Sequence, residues 1–350
     1  MKIKIGKKAI GQQNPCFIIA EAGVNHNGDL TMAKKLIDVA AEAKVDAVKF
    51  QTFNPDTLVV RGVKKADYQR ENEKNKGSES HYEMLKRLML PRSWHKRLIK
   101  YAQKKGLIFL STPFSFNDLD FLVGLGLLAI KVTSSDSNNI PYLKYLAKKG
   151  LPIILSTGMS DFSEVKDSVR AIRKAGNTKL VVLHCTTNYP TQMHEVNLKA
   201  MLVMKSKLGV LTGFSDHTEG IEASIAAVAL GASVIEKHFT IDRNLPGPDH
   251  KASLEPRELK TMVRAIRNIE KALGSGIKKA FKSEAEIAKV ARKSIVAAND
   301  IKKGVKITKE ILVIKRPGTG IPPKFFSKVI EKKAKRNIEK DSLIKFKDLA

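Results

Sequence analysis

The chain has 350 residues, with 63 Lys+Arg against 35 Asp+Glu for a net charge of +28, and 43% hydrophobic residues. That composition excludes disorder, and the length suits one large domain plus a small one. Two cysteines, Cys16 and Cys185, exclude a disulfide framework and point to a reducing compartment. No apolar run approaches the length of a membrane helix, and the start MKIKIGKKAI lacks the apolar stretch of a signal peptide, so a cytoplasmic protein is expected. Buried strands are predicted at residues 17–21 and 47–51, with a helix at 29–44 between them. A polar stretch at 54–81 then interrupts the rhythm, long enough for a lid or loop. Further strands are predicted at 107–112, 129–134, 152–156, 180–185, 210–215 and 233–238. Helices fall between them, for example 94–105, 163–175 and 219–230. A final helix, 256–273, opens with proline and closes at Gly274.

Eight strands lacking polar alternation, each followed by a helix, imply a parallel sheet buried on both faces. Over about 250 residues this is the count and size of a (β/α)₈ TIM barrel. A doubly wound open sheet would need a Gly-rich phosphate loop after its first strand, and none is there. Residues 1–275 are therefore read as a barrel, 276–290 as a lysine-rich linker, and 291–350 as a small, mostly β domain. This last region carries 17 Lys+Arg and 6 Asp+Glu. The basic excess invites a nucleic-acid or carbohydrate-binding reading. The lysines are scattered, however, aromatic residues are only 6%, and no nucleic-acid-binding signature occurs. A solvated, lysine-rich surface is the better account.

In a barrel, chemistry gathers at the C-terminal strand ends. There the sequence places Glu21; Lys49 and Gln51; Thr112; Lys131, Ser134 and Asp136; Ser156; Tyr189; Ser215 and His217; Glu236 and His238; and Asp249 in the loop beyond. Lys49 and Lys131 each interrupt an apolar strand, and a buried ammonium is costly unless paired. A core ion pair to Glu21 or Asp136 is one reading. A bound anion carrying phosphate and carboxylate is favoured, because hydroxyls from several strands converge at the same end. His217 and His238 end neighbouring strands and suit Mn²⁺, Zn²⁺ or a similar ion, with water and substrate completing the shell. Cys185 is read as buried and inert.

The ordered strings IAEAGVNHNGDL (19–30), VKFQTF (48–53), STPF (111–114), IKVTSSDSNNIPYL (130–143), LSTGM (155–159), LHCTTNYPT (183–191), GFSDHT (213–218) and IEKHFTIDRNLPGPDHKASLEP (235–256) resemble the sialic acid synthase family. The tail RKSIVAANDIKKGVKITKEIL (292–312) with IKRPGTGI (314–321) resembles that family's antifreeze-like, or SAF, domain. The resemblance implies condensation of phosphoenolpyruvate with an N-acylated hexosamine, N-acetylmannosamine or a diacetamido sugar. The product is a nine-carbon 2-keto sugar acid plus phosphate, with C–O cleavage of phosphoenolpyruvate. It implies that Lys49, Thr112, Lys131, Ser134, Ser156 and Ser215 line the phosphoenolpyruvate site. His217 and His238 become ligands of Mn²⁺ or Mg²⁺, and Glu21, Gln51, Tyr189 and Asp249 handle the sugar or the water. Asp136 stands where many members carry Glu, and Thr187 where some carry Asn, with Asn188 next to it. Arg316 matches an arginine contributed to the other subunit, which implies a domain-swapped homodimer, with neither nucleic acid nor membrane as partner. The competing readings are a barrel synthase using phosphoenolpyruvate and a phosphorylated sugar, and the basic binding protein already set aside.

Overall fold

The computed structural model describes residues 1–11, 13–72 and 79–350. It divides into two compact units, Met1–Gly274 and Ser275–Ala350. The first begins with an antiparallel hairpin, β1 (Lys2–Ile5) and β2 (Lys8–Gly11), turned at Gly6 in the left-handed region (φ +56°). Eight strands follow: β3 (Phe17–Gly23), β4 (Ala47–Thr52), β5 (Ile108–Pro113), β6 (Ile130–Val132), β7 (Ile153–Ser156), β8 (Leu180–Cys185), β9 (Leu211–Asp216) and β10 (Val234–His238). They form one sheet in the order β5-β4-β3-β10-β9-β8-β7-β6, with every ladder parallel. The edge strands β5 and β6 lie side by side without a ladder, so the barrel is nearly closed.

The helices form where sequence gives both a cap and an apolar stripe. Asp29 accepts from the Met32 backbone and starts Leu30–Glu42, which buries Ala33, Leu36, Ile37 and Ala40 against the barrel wall. Asp161 and Glu164 form a capping box at the start of Phe162–Lys174. Pro256–Leu273 has proline at its first position and ends at Gly274, as its sequence predicts. The β1–β2 hairpin is not among the predicted elements. Its Ile3, Ile5 and Ile10 join Phe17, Ala47, Leu110, Ile154, Val181, Leu211 and Val234 in the apolar layer at the strand starts.

Residues 73–78 of the polar stretch expected at 54–81 lie outside the described residues. Its described part holds the short helices Pro55–Leu58 and Asp67–Asn72. A further unpredicted helix, His81–Leu88, is opened by a capping box between Ser80 and Glu83. In the second unit, β11 (Ser294–Ala297) and β12 (Leu312–Lys315) pair antiparallel over a core that includes Ile295, Ile301, Ile307, Ile321 and Ile344. The segment read as a linker contains a helix, Ala285–Ala291. No helix among the described residues is long and apolar enough to cross a membrane.

Candidate active site

A cavity opens at the C-terminal ends of the barrel strands. It is lined by Glu21, Lys49, Gln51, Thr112, Lys131, Ser134, Ser156, Tyr189, Ser215, His217, Glu236 and His238, all placed at the strand ends from sequence, together with Phe114, Thr133 and Cys185. The two-residue strand period turns the strand-borne ones inward from β3, β4, β5, β6, β7, β8, β9 and β10, and Phe114, Thr133, Ser134, Tyr189 and His217 come from the segments just beyond the strand ends. Lys49 Nζ lies 2.8 Å from Glu21 Oε2 and 3.7 Å from Glu236 Oε2, and donates to Thr112 Oγ1 at 2.9 Å. Lys131 Nζ donates to Ser156 Oγ (2.7 Å) and the Val132 carbonyl (3.0 Å), and has Glu236 Oε1 at 3.4 Å. Ser215 Oγ also donates to Glu236 Oε1 (3.1 Å), and Gln51 Nε2 to Glu21 Oε1 (3.4 Å).

The ion-pair reading is thus half right. Lys49 does pair with Glu21, but Lys131 pairs with Glu236 rather than Asp136. Sequence reasoning places Glu236 beside the histidines on the same strand face, whereas the structure makes it the carboxylate shared by both lysines. The sharing is unequal. Burial raises the Glu21 carboxyl to about 7; Lys49 opposes the rise and Glu236 adds to it. Burial also acts to raise Glu236, but Lys131 and Lys49 overcome it and hold that carboxyl below its ordinary value. Burial lowers Lys49 less than Glu21 and Glu236 raise it, so its ammonium is secure. Lys131 goes the other way: burial outweighs Glu236, and Lys49 adds repulsion. The cavity therefore holds one ammonium that its own carboxylates do not fully compensate.

The two histidines meet as expected, with ring centroids 5.6 Å apart. His217 Nδ1 donates to the Thr186 carbonyl at 2.8 Å. A carbonyl only accepts, so Nδ1 carries a proton. Burial lowers the ring, but Cys185, the Thr186 carbonyl and Glu236 outweigh it and hold it above the usual histidine value, so Nε2 can ligate a metal only once its own proton is displaced. His238 Nδ1 is buried without a partner. Burial, His217 and Lys49 together hold this ring well below the usual histidine range, hence neutral. Two imidazoles at neighbouring strand ends, once deprotonated at the ligating nitrogen, fit a borderline or hard divalent ion that keeps its remaining positions for water and substrate. Among the described residues no cluster of three His, Cys, Asp or Glu forms around them. Tyr189 stacks on His217 at 4.1 Å and on Tyr68, from the polar stretch, at 5.2 Å.

Cys185 is buried but does not have the surroundings of an inert thiol. Burial raises it, yet His217 at 3.7 Å, Ser134 at 3.6 Å and Lys131 bring it down to about 7. Asp136 and Asp249 are not among the cavity's lining residues. Asp136 lies in the single turn Ser134–Asp136, accepts from Asn139 Nδ2 at 3.0 Å, and is raised by burial. Asp249 is buried near Tyr68 and Tyr189, whose hydroxyl pKa values its charge helps to raise. Thr187 Oγ1 is buried without a partner and faces Gly158, where a Cβ would approach it to 2.0 Å. Asn188 turns outward to Glu195. Arg316 is exposed on the second unit.

Two rim histidines are also held neutral, His26 and His250, each pushed down to about 4 by burial above all. His250 Nδ1 lies 2.7 Å from Thr240 Oγ1, and its Nε2 lies 3.2 Å from Asn27 Oδ1. Folded-state values below the unfolded ~6.5 mean that this stability is complete above about pH 6.5. It is lost as pH falls toward 4, by about 3 kcal/mol per ring. The melting temperature is expected to fall across that window, and less steeply in His250→Gln. An equal slope in the variant would remove His250 from the account.

A nearly closed ring of eight parallel strands, with its polar groups converging at one rim, defines a (β/α)₈ barrel enzyme. Residues 36–278 match the NeuB family, and residues 292–350 match the SAF domain. The chain is 49% identical to the N,N'-diacetyllegionaminic acid synthase of Campylobacter jejuni over 94% of this chain and 98% of that one. It is 37% identical to the human N-acetylneuraminate-9-phosphate synthase over 96% and 93%. Among solved structures, an N-acetylneuraminic acid (sialic acid) synthetase from Leptospira borgpetersenii in complex with citrate superposes with a TM-score of 0.72 at 38% identity, covering 82% of this chain and 95% of that one. The chain belongs to the NeuB family and is a transferase of the N-acetylneuraminate synthase type.

Proposed function

We propose that the enzyme condenses phosphoenolpyruvate with the open-chain aldehyde of an N-acylated hexosamine, giving a nine-carbon 2-keto sugar acid and phosphate. The observation that carries this reading is the under-compensated Lys131 ammonium, set beside Lys49 and hydroxyls from three strands and the turn after β6 (Thr112, Ser156, Ser215 and Ser134). A trianion with phosphate and carboxylate ends supplies the missing charge and hydrogen-bond acceptors. The Leptospira synthetase is in complex with citrate, an anion of similar charge.

His217 and His238 are the residues that would hold Mn²⁺ or Mg²⁺, and such an ion supplies Lewis acidity to the sugar aldehyde. Lys49 and Lys131 orient phosphoenolpyruvate so that its carbon three faces the aldehyde carbon. Carbon–carbon bond formation leaves carbon two electron-poor. Water adds there, and phosphate departs with its bridging oxygen. Glu21, near neutrality in pKa and bonded to Gln51, exchanges a proton with the water or the sugar hydroxyl. Arg316 of the partner subunit completes the sugar site in a domain-swapped homodimer of the cytoplasm.

The acceptor we favour is a 2,4-diacetamido-6-deoxy hexose. Identity to two N,N'-diacetyllegionaminic acid synthases, 49% and 47%, exceeds the 37% shared with pseudaminic acid and N-acetylneuraminate-9-phosphate synthases. The test is phosphate release from phosphoenolpyruvate with Mn²⁺ and a panel of N-acetylmannosamine, its phosphorylated form and diacetamido hexoses. Turnover is expected to be fastest with a diacetamido sugar and abolished by EDTA. Turnover only with the phosphorylated sugar would replace the favoured acceptor by a sugar phosphate, and no release with any sugar would overturn the reading.

A further inference from the structure

A third lysine, Lys237, interrupts β10, and unlike Lys49 and Lys131 it faces away from the cavity. Its side chain and that of Asp216 are both 0% exposed, and they form an ion pair at 3.0 Å. The two residues are also register partners across the β9–β10 ladder. Each immediately precedes one of the paired histidines, His217 and His238.

The pair is fully bonded. Asp216 Oδ1 accepts from the Thr218 backbone (2.9 Å) and Thr218 Oγ1 (2.7 Å). Asp216 Oδ2 accepts from Ser224 Oγ (2.6 Å), on the helix Glu222–Ala229. Lys237 Nζ donates to the Thr218 carbonyl at 2.6 Å. Both neighbours of His217 are therefore tied to the residue that precedes His238. The His217 carbonyl meanwhile accepts from the Thr191 backbone at 2.8 Å.

An ion pair with no exposure contributes little net stability, because desolvation offsets most of its attraction, and an apolar pair of the same volume would hold the fold as well. What an apolar pair cannot do is fix the turn 216–218 through four directed hydrogen bonds. We propose that the Lys237–Asp216 pair, with Thr218, is a positioning clamp that sets the spacing of His217 and His238 for a divalent metal ion. Supports behind metal ligands commonly change affinity by about 10- to 100-fold when removed. This inference rests on the metal reading given under Proposed function.

The test uses the full-length enzyme, with Mn²⁺ affinity measured by titration calorimetry and phosphoenolpyruvate affinity measured separately without metal. Wild type is expected to bind one Mn²⁺ per chain, and His238→Ala none. Lys237→Met and Thr218→Val are expected to weaken Mn²⁺ binding about 10- to 100-fold and about 3- to 10-fold, respectively. Phosphoenolpyruvate affinity should stay within about threefold of wild type, because Lys49 and Lys131 are untouched. A merely structural role would shift both affinities together or neither. If Lys237→Met fails to fold, Thr218→Val decides, since it removes one hydroxyl and keeps the ion pair. Unchanged Mn²⁺ affinity in folded variants of a metal-binding wild type overturns the clamp alone. A wild type that binds no Mn²⁺ at the histidines overturns the metal reading and the clamp with it.

Discussion

Substituting alanine for His238 is expected to abolish Mn²⁺ binding and to lower kcat by about three orders of magnitude, the equivalent of roughly 4 kcal/mol of barrier. The size follows from what the ring does in the fold, which is little besides packing. Its Nδ1 has no partner, and its edge meets Tyr189 at a centroid distance of 5.6 Å. Removing it leaves no buried donor or acceptor stranded, and because burial and the nearby lysines hold the ring neutral, no charge is lost with it. The folded state should therefore survive while the electrophile-activating group is lost. Metal titration, melting temperature and phosphate release distinguish the cases. A folded variant with full kcat would exclude His238 as a ligand.

The second large effect is expected at Lys131. Lys131→Met keeps the aliphatic stem and deletes the ammonium. A buried, charge-assisted contact to an anion is worth about 3–4 kcal/mol when truncated, so kcat/KM for phosphoenolpyruvate should fall about 100- to 1,000-fold. The melting temperature should hold or rise, because this ammonium is the one that burial disfavours, and Glu236 retains Lys49 at 3.7 Å and Ser215 at 3.1 Å. Lys131→Arg should not restore activity, since a planar fork does not replace a point charge that reaches Ser156 at 2.7 Å. Wild-type kcat/KM in the methionine variant would end the assignment of Lys131 to the anion site.

The parts of the fold legible in the sequence are those written in local periodicity. Apolar runs mark the eight barrel strands, and Asp29, Asp161, Pro256 and Gly274 set helix ends near the predicted places. The helix His81–Leu88 carries its own signature, Ser80 followed by Glu83, but lies at the edge of a stretch that reads as polar loop. The hairpin strands KIKI and KAIG are four residues each, too short for alternation to stand out from a basic start.

The site is legible in membership but less so in pairing. Strand-end position fixes how high a residue stands on the barrel, not which neighbour it faces. Asp136 stands at the right height, but its turn aims it at Asn139. Glu236 reads as a neighbour of the histidines because it shares their strand face, while its true partners come from β4 and β6, strands far away in sequence. Lys237 escapes notice because, one residue from either, it reads as part of the same polar tip. Only its strand register with Asp216 gives it a separate role.

The β1–β2 hairpin gives the barrel unit a floor. With Ile3, Ile5 and Ile10 packed against the apolar layer at the strand starts, the end of the barrel away from the polar rim is covered. Under the proposed reaction, phosphoenolpyruvate and the departing phosphate would share the rim lined by Lys49 and Lys131. A phosphate that lingers there would occupy the place of the next phosphoenolpyruvate.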